Sequence, residues 1–74
     1  MRKKNRIKIL LGSNIKYYRA KAGFTQVEFS EMIGCDVKYL GDVENGWNYP
    51  SSELLLKIVQ IIDIPVALLF TVRD

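Results

Sequence analysis

The sequence predicts an all-α fold of five short helices. Three observations predict it. Apolar residues recur at helical spacing along the chain, strand-like alternation is nowhere sustained, and capping signals follow each other so closely that only tight turns fit between them. Leu11, Ile15, Tyr18 and Ala22 step by four, three and four, so they share one helical face. Gly23 then supplies a left-handed stop, giving a first helix over about residues 8–22. Thr25 followed by Glu28 is a capping box, and a second helix runs from Gln26 with Phe29, Met32 and Ile33 apolar. Gly34 ends it. Asp36 caps a third helix from Val37 to about Glu44, with Leu40 and Val43 inward. Asn45-Gly46 is a turn signal, and a loop reaches Pro50. Ser51 or Ser52 caps a fourth helix with Leu55, Ile58, Val59 and Ile62 as its expected core set. Pro65 is tolerated at a first helical position, so a short fifth helix is expected from Pro65 to Phe70, with Leu69 inward.

At 74 residues the chain is one small domain with a marginal core. With 49% apolar and 26% charged residues it is globular rather than disordered. No apolar run is long enough to span a membrane, and no secretory signal follows the basic start. Met1 and an ending just past Phe70 read as a whole small protein rather than a fragment of a larger regulator or enzyme. The chain has one cysteine, Cys35, and no histidine. Zinc sites and Cys/His or Ser/His catalysis are therefore excluded, and a reducing cytoplasm is the natural setting. Cys35 is expected to fill a small apolar place in a turn and is assigned no chemistry.

The net charge of +3 is unevenly placed. Arg2, Lys3, Lys4, Arg6 and Lys8 fall in residues 1–8 without an acid. The remainder holds six basic and eight acidic residues, a net −2. The chain therefore divides into a basic arm (1–8), a helical domain (9–70) and a short tail (71–74). Such an arm either meets nucleic acid or is a solvated terminus that keeps the protein soluble.

Two helices of about eight residues joined by a glycine-containing turn form a helix-turn-helix arrangement. Such a turn projects the second helix, whose leading side chains can enter a major groove about 12 Å wide. Many small helical bundles contain similar turns, so spacing alone leaves this open. The residues add to it. Leu11-Gly12, Ile15, Arg19, Gly23-Phe24-Thr25-Gln26, Phe29-Ser30, Ile33-Gly34, Leu40, Val43-Glu44-Asn45-Gly46, Pro50-Ser51 and the run from Leu55 to Ile64 follow in order. Over Leu11 to Phe70 the chain closely resembles the phage-repressor/Cro-type (XRE-like) helix-turn-helix family. Its ending, Ile64 to Phe70, is also similar to restriction–modification controller proteins.

The resemblance implies a lambda-repressor-like domain and a role for each matching position. Thr25 and Gln26 open the second helix, where the glutamine would hold a phosphate beside orphan amides; otherwise it is an ordinary exposed residue. Val37, Lys38 and Tyr39 fall where the family reads bases. There Val37 would touch a thymine methyl, Lys38 a guanine or phosphate, and Tyr39 a phosphate or the groove wall. The alternative is an exposed helix surface with one packed aromatic. Asp42 stands where the family often has a basic or amide side chain; it repels phosphate but can accept from cytosine N4. Gly41 weakens the helix interior, either to permit close approach or as a poor helix choice. Ser30 replaces a common alanine and fits if its hydroxyl bonds back to the helix. Arg19 and Glu44 would form a salt bridge tying the first helix to the end of the third, unless Arg19 contacts phosphate instead. The loop would run along the DNA backbone through Asn45, Trp47, Asn48 and Tyr49, unless Trp47 and Tyr49 simply cover the core edge. Arg2, Lys3, Lys4 and Arg6 would add phosphate contacts.

Leu54, Ile61 and Leu68 step by seven, beside the expected core set rather than within it. With Val66 and Phe70 they suggest an exposed apolar patch and a partner surface, unless the C-terminal tail folds over them. The family implies a two-fold homodimer that spaces two recognition helices for a palindromic site. The resemblance therefore implies a sequence-specific, double-stranded-DNA-binding transcription regulator. It would be a phage-type repressor or a restriction–modification controller, with no catalysis, cofactor or small-molecule ligand. The alternative is an antitoxin-like protein-interaction module that keeps the fold and has lost DNA reading.

Overall fold

The first helix, α1, spans Arg6–Lys21 in the computed structural model, which describes residues 3–73. Arg2, one of the expected arm contacts, and Asp74 of the tail lie outside the described residues. The helix starts two residues earlier than the apolar pattern indicates, because Asn5 is its N-cap: Asn5 Oδ1 accepts the Lys8 amide at 2.8 Å. Arg6 and Lys8 thus belong to a helix rather than to an extended arm. Gly23 leaves the helix end with φ +90°.

The next two helices fall where their caps put them. Helix α2 (Gln26–Ile33) begins in a complete capping box, Glu28 N–H to Thr25 Oγ1 at 3.1 Å and Thr25 N–H to Glu28 Oε1 at 2.9 Å. The Thr25 amide, and after it the Thr25 side chain, holds the Glu28 carboxyl below its ordinary pKa. Ser30 Oγ donates back to the Val27 carbonyl at 2.8 Å, so the serine at the helix–helix contact carries its own partner. Helix α3 (Val37–Glu44) is capped by Asp36, which accepts the Lys38 amide at 3.0 Å. Burial, then the neighbouring Asp36 carboxylate, raises the Cys35 pKa in the turn between them; the group is a thiol at neutral pH.

Helix α4 (Ser52–Ile62) is capped by Ser51 and stops at Asp63, which takes a left-handed conformation, φ 60°. The expected fifth α-helix is instead a 3₁₀ helix, Val66–Phe70, with Pro65 as its N-cap residue rather than its first turn. Five residues after a proline are too few to build a stable α-helical hydrogen-bond ladder, and the tighter turn suffices. The described residues thus form four α-helices and a 3₁₀ segment.

Each element sends one or two side chains into a single core: Leu11 and Ile15, Phe29 and Ile33, Leu40 and Val43, Leu54 and Ile58, and Leu69. The phase of α4 corrects two expectations. Leu54, expected at a partner surface, is 7% exposed and buried with Ile58, whereas Leu55, Val59 and Ile62 are only partly buried. Leu54 and Ile58 are one helical turn apart, so burying one brings in the other. Asn14 is fully buried on α1 and donates to the carbonyls of Leu69 (2.8 Å) and Thr71 (3.0 Å), stapling the 3₁₀ helix to α1. The start of the tail runs along α1: Arg73 donates to Ser13 Oγ at 2.9 Å and lies over the Tyr17 ring.

Candidate nucleic-acid interface

The geometry of α3 starts from its period. At 3.6 residues per turn, Leu40, Val43 and Glu44 point one way, and Lys38, Asp42 and Asn45 point the other. The first group is buried; Lys38 and Asn45 are exposed and Asp42 is half-buried. Val37 is 38% exposed at the first turn. Among the described residues nothing explains Gly41 as a packing need, since a side chain there would begin 4.0 Å from Gln26 Nε2 and meet nothing closer.

The far end of α3 is held from beneath. Arg19 of α1 grips Glu44 through two parallel bonds, Nε to Oε2 at 2.7 Å and Nη2 to Oε1 at 3.1 Å, with the carboxylate fully buried. Arg19 Nη1 also donates to the Phe24 carbonyl at 2.5 Å. Gln26 joins this network, donating from Nε2 to Glu44 Oε1 at 2.8 Å. One of its amide hydrogens therefore points inward, where the sequence reading has it on a phosphate or in solvent. Gly12 completes the junction: a methyl there would land on the Val43 carbonyl oxygen, so α1 reaches the end of α3 only because residue 12 has no side chain. One charged cluster thus fixes α1, the start of α2 and the end of α3 together.

A second cluster ties Lys4, Asn5 and Lys8 to the loop after α3. Lys4 Nζ sits 4.5 Å from the centre of the Trp47 ring, and Lys8 Nζ sits 5.1 Å from that of Tyr49. The Lys8 ammonium also donates to the Lys3 carbonyl at 2.9 Å. The Tyr49 hydroxyl bonds the Asn5 amide, with separations of 3.2 Å to Nδ2 and 3.3 Å to Oδ1. Tyr39 donates its hydroxyl to the Tyr49 carbonyl at 3.2 Å, so this hydrogen is directed at the loop. Arg6 is exposed on the first turn of α1, and Asn48 is half-buried in the loop.

The structure brings together Gln26, Arg19 and Glu44 in one network, and Lys4, Lys8, Trp47 and Tyr49 in another. Leu54 joins neither. Sequence reasoning missed Asn5 and Asn14. Asn5 had a local signal, an asparagine three residues before Lys8 in N-cap register; Asn14 had none, because its partners lie 55 and 57 residues away. Among the described residues no His/Cys/Asp/Glu group is arranged to hold a metal, and no helix is long and apolar enough to cross a membrane.

Comparison with known proteins adds a family. A family model described as Helix-turn-helix matches residues 15–69. The chain is 32% identical over 66 residues to the HTH-type transcriptional regulator SinR of Bacillus licheniformis, a match covering 88% of this chain and 60% of that protein. It spans half the length of two further curated relatives. Among solved structures, the restriction-modification controller protein C.AhdI from Aeromonas hydrophila superposes with a TM-score of 0.77 at 29% identity, covering 84% of this chain and 94% of that one. The master regulator for biofilm formation SinR, in complex with DNA, superposes with a TM-score of 0.75 at 31% identity, covering 82% and 98%.

Proposed function

Because the chain belongs to the XRE-type helix-turn-helix family, whose relatives are transcriptional regulators, we propose that it binds double-stranded DNA as a homodimer and regulates transcription from a palindromic operator in the cytoplasm. One observation carries this reading. The outer side of α3, with Val37, Lys38 and Asn45, faces away from the core while the Arg19–Glu44–Gln26 cluster fixes the helix from behind. A helix fixed from behind with Val37, Lys38 and Asn45 in solvent is suited to groove insertion. Val37 and Lys38 then read bases, Asn45 and Asn48 lie along the backbone, and the second Gln26 amide hydrogen remains available for a phosphate at the α2 N-terminus, beside Thr25. Asp42 accepts from a cytosine rather than facing a phosphate.

The dimer reading rests on apolar surface at the C-terminal end. Val66 is 44% and Phe70 46% exposed, with Ile61 and Leu68 half-buried nearby. A groove of about 410 Å³ lined by Tyr18, Lys21, Ala22, Ile62, Ile64 and Leu68 shares Leu68 with that surface. Similarity to C.AhdI, a restriction-modification controller protein, supports the regulator reading. Selection of bound duplexes from random DNA tests the reading: an enriched palindrome is the expected result. No enrichment, together with no gel shift on random duplex at low salt, would replace it with a protein-interaction module.

A further inference from the structure

We propose that Tyr49 and Asn5 are positioning residues that convert the basic N-terminal segment into a fixed part of the DNA-binding surface. The inference rests on the DNA-binding reading above and names residues for that same surface.

The argument begins with what a free basic segment would do. Lysines on an unattached terminus attract phosphates, but ordering such long side chains on binding costs conformational entropy. Here the segment is already attached. Asn5 is where the attachment meets the fold, since the same side chain caps α1 and bonds the Tyr49 hydroxyl. Tyr49 in turn is bonded through its carbonyl by Tyr39 of α3. A continuous chain of hydrogen bonds therefore runs from α3 through the loop to the first turn of α1.

The lysines are arranged along that chain. Lys4 lies over Trp47, two residues before Tyr49; Lys8 lies over Tyr49 itself and donates to the Lys3 carbonyl. An ammonium has three donors, and a ring face uses none of them as a conventional hydrogen bond. Both lysines are thus held near the loop with donors left for an anion. Asn5 and Tyr49 are both exposed and neither belongs to the core, so the hydrogen bond between them is not one the core depends on. Its consequence is geometric: it sets where two positive charges sit relative to α3.

The test separates positioning from folding. Tyr49→Phe removes the hydroxyl and keeps the ring under Lys8. Asn5→Ser keeps an N-cap for α1 and withdraws the amide from Tyr49. Labelled duplex enriched by the unaltered chain from random DNA is titrated by anisotropy across a salt series, with thermal unfolding alongside. Both variants are expected to bind about three- to tenfold more weakly at low salt. The slope of log affinity against log salt should flatten by about 1 for each lysine no longer delivered to a phosphate. Melting should be nearly unchanged, and the double variant should lose no more than either single one. A lost cap or loosened fold would move melting without flattening the slope. Binding by the unaltered chain with an unchanged slope in both variants overturns this inference alone. Failure of the unaltered chain to bind any duplex overturns the DNA reading and this inference with it.

Discussion

The junction of α1 with the end of α3 and the surface around the 3₁₀ helix are built in opposite ways. At the junction, Arg19, Glu44 and Gln26 satisfy one another inside a single chain, and Gly12 lets the backbones touch. At the C-terminal end, Val66 and Phe70 stand nearly half exposed. The first region is finished within one chain; the second keeps apolar surface in solvent. A charge buried in so small a domain must be completed within the chain, since leaving it unpaired costs more than the domain's margin can absorb. Apolar surface can wait for a partner, because leaving it wet costs little per side chain.

The largest expected effect breaks the junction. Glu44→Ala leaves the Arg19 guanidinium buried beside its remaining partner, the Phe24 carbonyl, and removes the acceptor of Gln26. Losing one partner of a buried pair costs about 3–5 kcal/mol, enough to leave much of the chain unfolded at 37 °C by circular dichroism. Gly12→Ala attacks the same junction without touching a charge. Its methyl meets backbone carbonyls that cannot swing aside, so a loss of about 1–3 kcal/mol is expected in urea unfolding. A Gly12→Ala protein as stable as the parent would show that α1 and α3 are less closely seated than described.

How far the sequence reaches follows the same division between local and distant chemistry. The bounds of α2 and α3 were legible because Thr25, Glu28, Gly34 and Asp36 act within three residues of themselves. The meeting of Arg19 with Glu44 was accessible only through family resemblance, since 25 residues separate them. On α4 the expected core residue Ile58 is buried and Leu55, Val59 and Ile62 pack against the core, but Leu54 goes inward too: Leu54, Leu55 and Leu56 are consecutive, and an unbroken apolar run does not say which member faces in. Leu54 is buried, Leu55 half-buried and Leu56 58% exposed. Gln26 was placed outward because its position at the start of a helix is readable, whereas its bond to Glu44 across 18 residues is not. Asn5 was hidden by its neighbours: a segment with so many cations reads as an arm, and the cap within it passes unnoticed.

The C-terminal surface should respond differently from the junction. Phe70→Ser replaces a side chain with half its area in solvent, so the isolated fold should lose little. If that surface joins two copies, removing a central aromatic should weaken the dimer at least about tenfold, as read by sedimentation across a concentration series. Melting would then become less dependent on protein concentration. A dimer of unchanged strength would move the contact elsewhere and remove the contrast between the two regions.

The smallest effect belongs to a place that is neither closed nor apolar. Gly41 sits within α3, and no neighbour lies closer than 4.0 Å to where its side chain would begin. Gly41→Ala therefore brings the ordinary gain of helix propensity, up to about 1 kcal/mol in urea unfolding, with no clash to offset it. The sign opposes that of Gly12→Ala, although both changes add the same methyl to a helical glycine. Gly12 is required by the chain's own packing; the space at Gly41 is not used by any of the described residues. Should Gly41→Ala instead destabilise the protein, a group must lie closer to that position than Gln26 does.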